Sequence, residues 1–197
     1  PNPAPPTGDE LETRTTTYDP NGNINRQEET YSTSGLAVET QTWDDFDRLL
    51  TKTDRHGETV SITYDANGNR KTVRDSDSVV TQYSYDALNR LASQTGAGGV
   101  TTYDYFKNAL PKKTTYPNGA SATQTYDLAN RTQSITNRQN ASLIASYVYE
   151  YDDNGNRSQQ IEINGGAPET TTYEYDDADR LTEAHYPDQT VTYTLDP

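Results

Sequence analysis

The stretch Tyr83-Ser84-Tyr85-Asp86-Ala87-Leu88-Asn89-Arg90-Leu91 decides how this chain folds. Its two tyrosines stand two residues apart, so in an extended strand both rings point to the same face of a sheet. Asp86 then begins a short polar segment of residue types that favour turns, and Leu91 begins another extended run. The stretch therefore predicts a strand, a turn and a second strand.

The aromatic–acid step within this stretch recurs along the chain. Copies stand at Tyr18-Asp19, Trp43-Asp44, Tyr64-Asp65, Tyr85-Asp86, Tyr126-Asp127, Tyr151-Asp152 and Tyr175-Asp176, with degenerate copies at Tyr105-Phe106 and Leu195-Asp196. Successive copies are 20 to 25 residues apart. Because a fixed period of this length is typical of repeat proteins, each copy is interpreted as one supersecondary unit.

Two kinds of turn follow the aromatic residue. One reads Asp-x-Asn-Gly-Asn and includes Gly68 and Gly155; it occupies residues 19–23, 65–69 and 152–156. The other runs from Asp to an Asn-Arg or Asp-Arg step and ends at Arg48, Arg90, Arg131 or Arg180. Asp, Asn and Gly tolerate positive φ, and an Asp side chain can bond the backbone two residues on. Both kinds are therefore interpreted as hairpin turns.

The alternation of extended runs and turns predicts an all-β fold, an antiparallel meander of hairpins. We count about sixteen strands and find no convincing helical period. Residues 1–10 are expected to be a proline-rich lead-in, and residues 11–197 an array of eight to nine units whose last is truncated. The irregular segment Asn137 to Ala145 is expected to lengthen one turn.

Composition makes disorder the first alternative to consider. The 197 residues are 30% hydrophobic and carry a net charge of −14, a combination typical of disordered chains. Against disorder, 16 residues are Tyr, a strand-forming type, and their placement is periodic. Large aliphatic residues are too few to fill a space between two sheets, whereas tyrosine can bury its ring and keep its hydroxyl in water. We therefore expect a curled single-layer sheet, with Trp43 and the motif tyrosines stacked in a ladder on one face.

Several classes of function are disfavoured by composition. The absence of Cys excludes disulfides and thiolate metal sites, and the strong acidity argues against nucleic acid and anionic membranes as partners. We find neither a signal peptide nor an apolar run that approaches a membrane span, so membrane insertion is not expected. No Met occurs, even at position 1, so the chain is expected to be a piece of a longer protein. The acidity is compatible with an extracellular protein, secreted or at the cell surface.

The repeated units resemble YD repeats, also called RHS repeats. The family motif Tyr-Asp-x-x-Gly-Arg-Leu-Thr is matched closely by residues 175–182, 85–92 and 64–70, although Trp43 replaces one Tyr and Phe106 one Asp. This resemblance implies a spiralling strip of hairpins that, in bacterial insecticidal toxin complexes, Rhs effectors and teneurins, winds into a hollow shell. In the bacterial toxins the shell encloses a C-terminal toxin peptide. The segment where some family members cleave themselves has no match here, nor does a payload domain.

No catalytic, cofactor or metal site is predicted. The Asp-x-Asn-Gly-Asn turns superficially resemble calcium loops, but the EF-hand pattern needs Gly at the sixth position and Glu at the twelfth, so turn chemistry is favoured. The adjacent acids at 44–45, 152–153 and 176–177 would point to opposite faces of a strand, which disfavours joint catalysis. His56 and His185 lie in predicted turns without a ligand or nucleophile motif around them.

Three other sets of residues admit both a structural and a binding interpretation. Arg48, Arg90, Arg131, Arg157 and Arg180 follow the turns in register and are expected to bond turn carbonyls, pair with the motif Asp or stack on a neighbouring Tyr, although an anionic ligand is the alternative. The tyrosine ladder is interpreted as the fold's own apolar surface, with carbohydrate binding as the alternative. Of three glycosylation patterns, only that at Asn140 falls in the irregular segment.

These observations favour a structural module: a stretch of shell wall that encloses or carries a toxin polypeptide in a secreted or surface bacterial protein. Its partners would be further repeats of the same chain and the enclosed polypeptide. The alternative is an extracellular fibre or adhesin unit, in which copies of the chain pair through exposed edge strands. An enzyme is poorly supported, because no set of acids gathered around one point can be identified from the sequence.

Overall fold

The computed structural model describes residues 10–194, which form strands and turns with no helix among them. They divide into two compact units, one ending at Gly99 and the other beginning at Val100. The first unit contains β1 (Leu11–Tyr18), β2 (Ile24–Tyr31), β3 (Gly35–Trp43), β4 (Leu49–Thr53), β5 (Thr59–Tyr64), β6 (Arg70–Arg74), β7 (Val80–Tyr85) and β8 (Leu91–Gly96). The second contains β9 (Gly99–Tyr105), β10 (Pro111–Thr115), β11 (Ala120–Tyr126), β12 (Thr132–Gln139), β13 (Ser142–Tyr151), β14 (Arg157–Asn164), β15 (Glu169–Tyr175), β16 (Leu181–His185) and β17 (Thr190–Thr192).

Within each unit, every strand pairs antiparallel with the next strand along the chain. The predicted all-β class and antiparallel meander are confirmed, with seventeen described strands where the sequence suggests about sixteen. The predicted lead-in lies almost entirely outside the described residues, as does the degenerate motif copy at Leu195-Asp196. No described helix is long and apolar enough to span a membrane.

The expectation of a lengthened turn over residues 137–145 is wrong. The extra residues extend the two strands β12 and β13, which are eight and ten residues long. They are joined across Asn140 and Ala141, and Asn140 takes a positive φ of 53°. Gln139 faces Ser142 across this turn, so the ladder continues to its end. Asparagine tolerates the left-handed conformation that a two-residue hairpin turn requires, so this pair of residues is sufficient to reverse the chain.

The two faces of the hairpins differ in chemistry. One residue before the motif aromatic, hydroxyl side chains meet across the strands: Thr42 and Thr51 lie 2.7 Å apart, and Ser84 and Ser93 also 2.7 Å apart. Because neighbouring residues in a strand point to opposite faces, these exposed hydroxyl pairs lie opposite the aromatic rings. The sheet thus has a wet face lined by hydroxyls and a face that carries the aromatic residues.

Very little of either unit is closed off from solvent. Among the described residues, the buried apolar side chains are Tyr31, Ala145 and Ala184, and no large side chain is fully buried. A conventional core would bury several large side chains completely. The hairpins must therefore obtain much of their stability from contacts with adjacent hairpins.

Candidate functional site: the row of motif turns

The eight turns that follow the motif positions share one backbone geometry; we call them the motif turns. In the Asp86 turn, the Asp86 N–H donates to the Arg90 carbonyl (2.9 Å) and the Asn89 N–H donates to the Asp86 carbonyl (3.0 Å). The fourth residue of each turn has positive φ; these residues are Gly22, Asp47, Gly68, Asn89, Ala109, Asn130, Gly155 and Asp179. Asp, Asn and Gly predominate there because they tolerate this conformation.

The motif carboxylate holds the turn closed. Asp86 Oδ1 accepts the N–H groups of Leu88 (2.8 Å) and Arg90 (3.0 Å), and Oδ2 accepts Nε of Arg90 (2.7 Å). The Arg90 side chain, then its backbone N–H, keeps the pKa of Asp86 below the ordinary value of 3.8. In the Asp65 turn, Asn69 takes the place of the arginine, and its Nδ2 donates to Oδ2 of Asp65 (3.1 Å). The carboxylates are thus occupied by donors of their own turns.

The two kinds of motif turn alternate along the chain. The Asn turns, named for the Asn at their fifth position, are residues 19–23, 65–69 and 152–156, and the Arg turns are residues 44–48, 86–90, 127–131 and 176–180. The degenerate turn at 106–110 stands where the alternation requires an Asn turn, and it retains Asn108 at the third position. The structural repeat is consequently a pair of hairpins, and each pair contains one turn of each kind.

An Asn turn is fastened to the following Arg turn by amide side chains. Asn21 and Asn23 both donate through Nδ2 to Oδ1 of Asp47, at 2.9 and 2.6 Å. Asn154 and Asn156 do the same to Asp179, at 2.9 and 2.7 Å. The equivalent acceptors Asn89 and Asn130 receive Nδ2 of Asn67, Asn69 and Asn108. The positive-φ residue of each Arg turn therefore serves as the acceptor for the preceding turn.

An Arg turn is fastened to the following Asn turn by its guanidinium. Arg48 lies over the ring of Tyr64, with 4.4 Å between Cζ and the ring centroid, and Arg131 lies over Tyr151 at 4.5 Å. Nη1 of Arg48 would lie 3.5 Å from a Cβ added to Gly68, so the guanidinium also covers that turn. Cation–π contacts of this kind contribute about 0.5–1 kcal/mol at exposed sites.

The motif aromatics add a third fastening between hairpins. The Tyr64 hydroxyl donates to the Leu49 carbonyl (2.9 Å), which belongs to the first strand residue after the preceding motif turn. Trp43 makes the equivalent bond from Nε1 to the Ile24 carbonyl (2.8 Å), so indole and phenol are interchangeable here. Tyr85, Tyr151 and Tyr175 donate to the carbonyls of Arg70, Thr132 and Arg157. Each of these donors anchors its own hairpin to the backbone of the one before.

The contacts of the rings differ from the simple stack expected from the sequence. At Tyr64 and Tyr151 a guanidinium lies over the ring, whereas Tyr126 meets Phe106 edge to face, with centroids 5.9 Å apart. The Tyr126 hydroxyl donates to Gln124 rather than to a carbonyl of the previous hairpin. Tyr18, in the first motif copy, is 58% exposed. Phe106 replaces the motif Asp, and its ring makes the edge-to-face contact with Tyr126.

Other predicted candidates lie apart from this row or at its surface. Asp45, Asp153 and Asp177, the second members of the acid pairs, are exposed. His56 lies in the turn between β4 and β5, where its N–H donates to Asp54 (2.8 Å). The hydrogen bonds from Asn side chains to the fourth residue of the following Arg turn were not predicted; the regular alternation of the two turn kinds is the signal in the sequence that accompanies them.

A buried charge cluster, at the end of the first hairpins away from the motif turns, was also not predicted from the sequence. Glu29 is 5% exposed on β2, and its carboxylate accepts the Tyr31 hydroxyl (2.6 Å), Arg14 Nε (2.8 Å) and Gln27 Nε2 (3.0 Å). Arg55, from the turn between β4 and β5, adds Nη2 at 3.2 Å. The hydrogen bond from Tyr31, followed by those from Arg14 and Gln27, lowers the pKa of Glu29 although burial opposes the shift.

The positive φ of the Asn turns gives a first prediction. Gly68 has φ of 88°, so Gly68→Val is expected to cost about 2 kcal/mol of unfolding free energy because a β-branched residue is strained there. Gly68→Asn is the matched control and should cost less than about 1 kcal/mol, since the chain itself places Asn89 at this position of the next motif turn. Chemical denaturation measures both variants, and equal losses would contradict a backbone origin.

The meander and its fastened turns define a β-hairpin repeat protein. The RHS Repeat profile matches residues 43–80, 64–101 and 151–191, which together cover half of the chain. The chain belongs to the RHS-repeat family.

The chain is also similar to individual proteins and solved structures. The chain is 31% identical over 146 residues to double-stranded DNA deaminase toxin A of Burkholderia cenocepacia (strain H111), a match that covers 68% of this chain and 10% of that protein. Among solved structures, TcdB2-TccC3 without its hypervariable C-terminal region aligns with a TM-score of 0.70 at 17% identity, over 95% of this chain and 12% of that one. TcdB2-TccC3-Cdc42 aligns with a TM-score of 0.68 at 18% identity, over 94% and 12%. The chain thus spans about a tenth of the length of these relatives, and the structural matches establish the fold alone.

Proposed function

We propose that this chain is a non-catalytic stretch of wall from a shell that encloses a toxin polypeptide in a secreted or surface bacterial protein. The observation that carries the proposal is the repeated joining of consecutive hairpins within each unit, by amide hydrogen bonds, guanidiniums over rings and ring donors to backbone carbonyls. Such joining strengthens a thin sheet against separation of its hairpins. Membership of the RHS-repeat family and the relationship to a named toxin support the same role.

The net charge of the chain and the contacts of its motif side chains agree with a containing role. The net charge of −14 disfavours adhesion to nucleic acid and anionic membranes, and it favours solubility. The motif carboxylates are engaged by their own turns, which makes them poor candidates for acid–base chemistry. At Tyr64 and Tyr151 a guanidinium covers one face of the ring, so a sugar could not stack on that face.

The test is cryo-electron microscopy of the full-length gene product that carries these repeats, combined with limited proteolysis. We expect hollow particles with density inside, and an enclosed segment that resists protease. Particles assembled from the Tyr151→Ala variant should expose that segment sooner, since a fastening between hairpins is lost. Threads without an enclosed volume would contradict the proposal and favour the fibre alternative.

A further inference from the structure

Near the end of the second unit, three ligand-type side chains converge on one face of the sheet. Glu174 on β15 faces Glu183 on β16 directly across the strand pair, and His185 follows two residues later on the same face as Glu183. Nε2 of His185 lies 3.3 Å from Oε1 of Glu174 and 3.4 Å from Oε2 of Glu183. The three ligand atoms lie within 4.8 Å of one another.

This arrangement calls for a cation at its centre. Two carboxylates directly opposite each other on one face of a strand pair repel and destabilise the pairing. The imidazole nitrogen adds a third electron pair when its proton is on Nδ1. Thr190 on β17 lies 3.0 Å from Nδ1 of His185 and can accept that proton, which would leave Nε2 as the free ligand atom. Two carboxylate oxygens and one imidazole nitrogen, each with an unshared electron pair, then lie close together.

The spacing fits a small transition-metal ion. Tetrahedral Zn²⁺ has Zn–N and Zn–O bonds of about 2.0–2.2 Å, which places neighbouring ligand atoms about 3.3 Å apart. The two distances from Nε2 of His185 to the carboxylates, 3.3 and 3.4 Å, have this length. Glu174 is 65% exposed, so its side chain is free of packing that would prevent it from closing on an ion. The opening to solvent also admits the water that would complete the coordination.

We propose that Glu174, Glu183 and His185 form a binding site for a first-row divalent transition metal, with Zn²⁺ as the probe. Imidazole nitrogen together with carboxylate oxygen suits zinc and its neighbours, whereas Ca²⁺ and Mg²⁺ prefer oxygen ligands throughout. A bound ion would join β15 to β16, and Thr190 would link β17 to the same site. Because these residues come together only in the folded sheet, metal binding stabilises the fold.

The ligand set could not be identified from sequence spacing. Glu174 and Glu183 are nine residues apart and lie on either side of a motif turn, so only the strand register places them opposite each other. His185 is the last residue of β16 and pairs with both neighbouring strands, so the expectation that it lies in a turn is wrong. The site does not depend on the proposed role in a shell wall, since it concerns this sheet alone.

Untagged protein freed of metal by a chelator should be titrated with Zn²⁺ by calorimetry and melted with and without the ion. We expect one ion per chain and a higher Tm with Zn²⁺, with no competition from excess Ca²⁺ or Mg²⁺. His185→Gln and Glu183→Gln should each weaken binding at least about tenfold, the loss that even an outer-shell change produces. His56→Gln, which changes the other histidine, should bind Zn²⁺ as the parent does.

A spectroscopic measurement tests whether the ion binds at these residues. Co²⁺ should give the visible absorption of a low-coordinate nitrogen–oxygen site, and His185→Gln should abolish it while circular dichroism shows a folded sheet. Should Zn²⁺ fail to bind, or bind His185→Gln as tightly as the parent, the proposal is overturned. It is also overturned if Zn²⁺ leaves the Tm of the parent protein unchanged.

Discussion

Replacing Glu29 by glutamine is expected to lower the free energy of unfolding by about 3 kcal/mol, since removing one partner of a buried ion pair leaves the other charge uncompensated. The affected partner is Arg55, whose side chain is 15% exposed and whose Nη2 lies 3.2 Å from the carboxylate. Nε of Arg55 is buried without a hydrogen-bond partner among the described residues, so this guanidinium depends on the contacts of its other nitrogens. The amide keeps the shape of the side chain but removes the charge.

The matched control is the neighbouring residue. Glu28 points to the opposite face, and its side chain is 37% exposed beside Arg26, which is itself 46% exposed. Glu28→Gln is expected to change the free energy of unfolding by less than about 0.5 kcal/mol, as exposed ion pairs usually do. Equilibrium denaturation of both variants gives the comparison. Equal losses would show that net charge, rather than the buried cluster, determines the effect.

The dependence on pH follows from the lowered pKa of Glu29. Because the folded protein holds this pKa below the ordinary value of 4.5, the stabilisation is fully present above pH 4.5. The stabilisation is lost as the pH falls through the pKa of Glu29 in the folded protein, because the folded protein then binds the proton as well. The difference in unfolding free energy between the parent and Glu29→Gln should therefore be largest near neutral pH and should shrink on acidification. A difference that grows in acid would reverse the sign and contradict the assignment.

The local part of the fold could be predicted from the sequence because the signals are local. The strands Leu49–Thr53 and Arg70–Arg74 each begin at the residue that follows a turn predicted from the sequence. The Asp, Asn and Gly residues of the motif turns specify the reversal of the chain within five residues. Neither prediction requires knowledge of residues outside a single hairpin.

Which particular residues meet between hairpins could not be predicted, because the pairing depends on how far one hairpin is displaced against the next. Glu29 and Arg55 are 26 residues apart, and no periodic pattern distinguishes them from exposed charges. The expected contacts of Arg48 with the motif Asp and with a neighbouring Tyr are both present, but only the register identifies Tyr64 as the ring beneath the guanidinium. At residues 137–145 the irregular sequence predicts a longer turn, whereas the hydrogen-bond ladder extends through Gln139 and Ser142.

The alternation of turns explains why one motif suffices for both kinds of contact between hairpins. The fourth residue of an Arg turn accepts amide protons from the turn before, as Asp47 does from Asn23. The fifth residue of the same turn reaches forward, as Arg48 does to Tyr64. With Arg at the fifth position, the contact to the next hairpin is a guanidinium over a ring. With Asn there, it is a hydrogen bond from the amide to the next motif turn. Both solutions join adjacent hairpins without burying large apolar side chains.

Tyr151→Ala is expected to lower the free energy of unfolding by about 2–3 kcal/mol, somewhat less than for a fully buried ring because Tyr151 is only half-buried. The substitution removes the ring beneath Arg131 and the hydroxyl that donates to the Thr132 carbonyl at 2.7 Å. Tyr151→Phe removes only the hydroxyl and should cost about 1 kcal/mol, the usual net value of one hydrogen bond. The difference between the two variants measures the contribution of the ring itself.

Tyr18→Ala is the control that isolates the contact between hairpins, since Tyr18 occupies the same motif position but is 58% exposed. It should cost less than about 1 kcal/mol. A double-mutant cycle of Tyr151→Leu with Arg131→Gln should give a coupling of about 0.5–1 kcal/mol, the range for a cation over an aromatic ring near the surface. If Tyr18→Ala and Tyr151→Ala were equally destabilising, the ring would act through its own hairpin, and the fastening of one hairpin to the next would rest on the turn side chains alone.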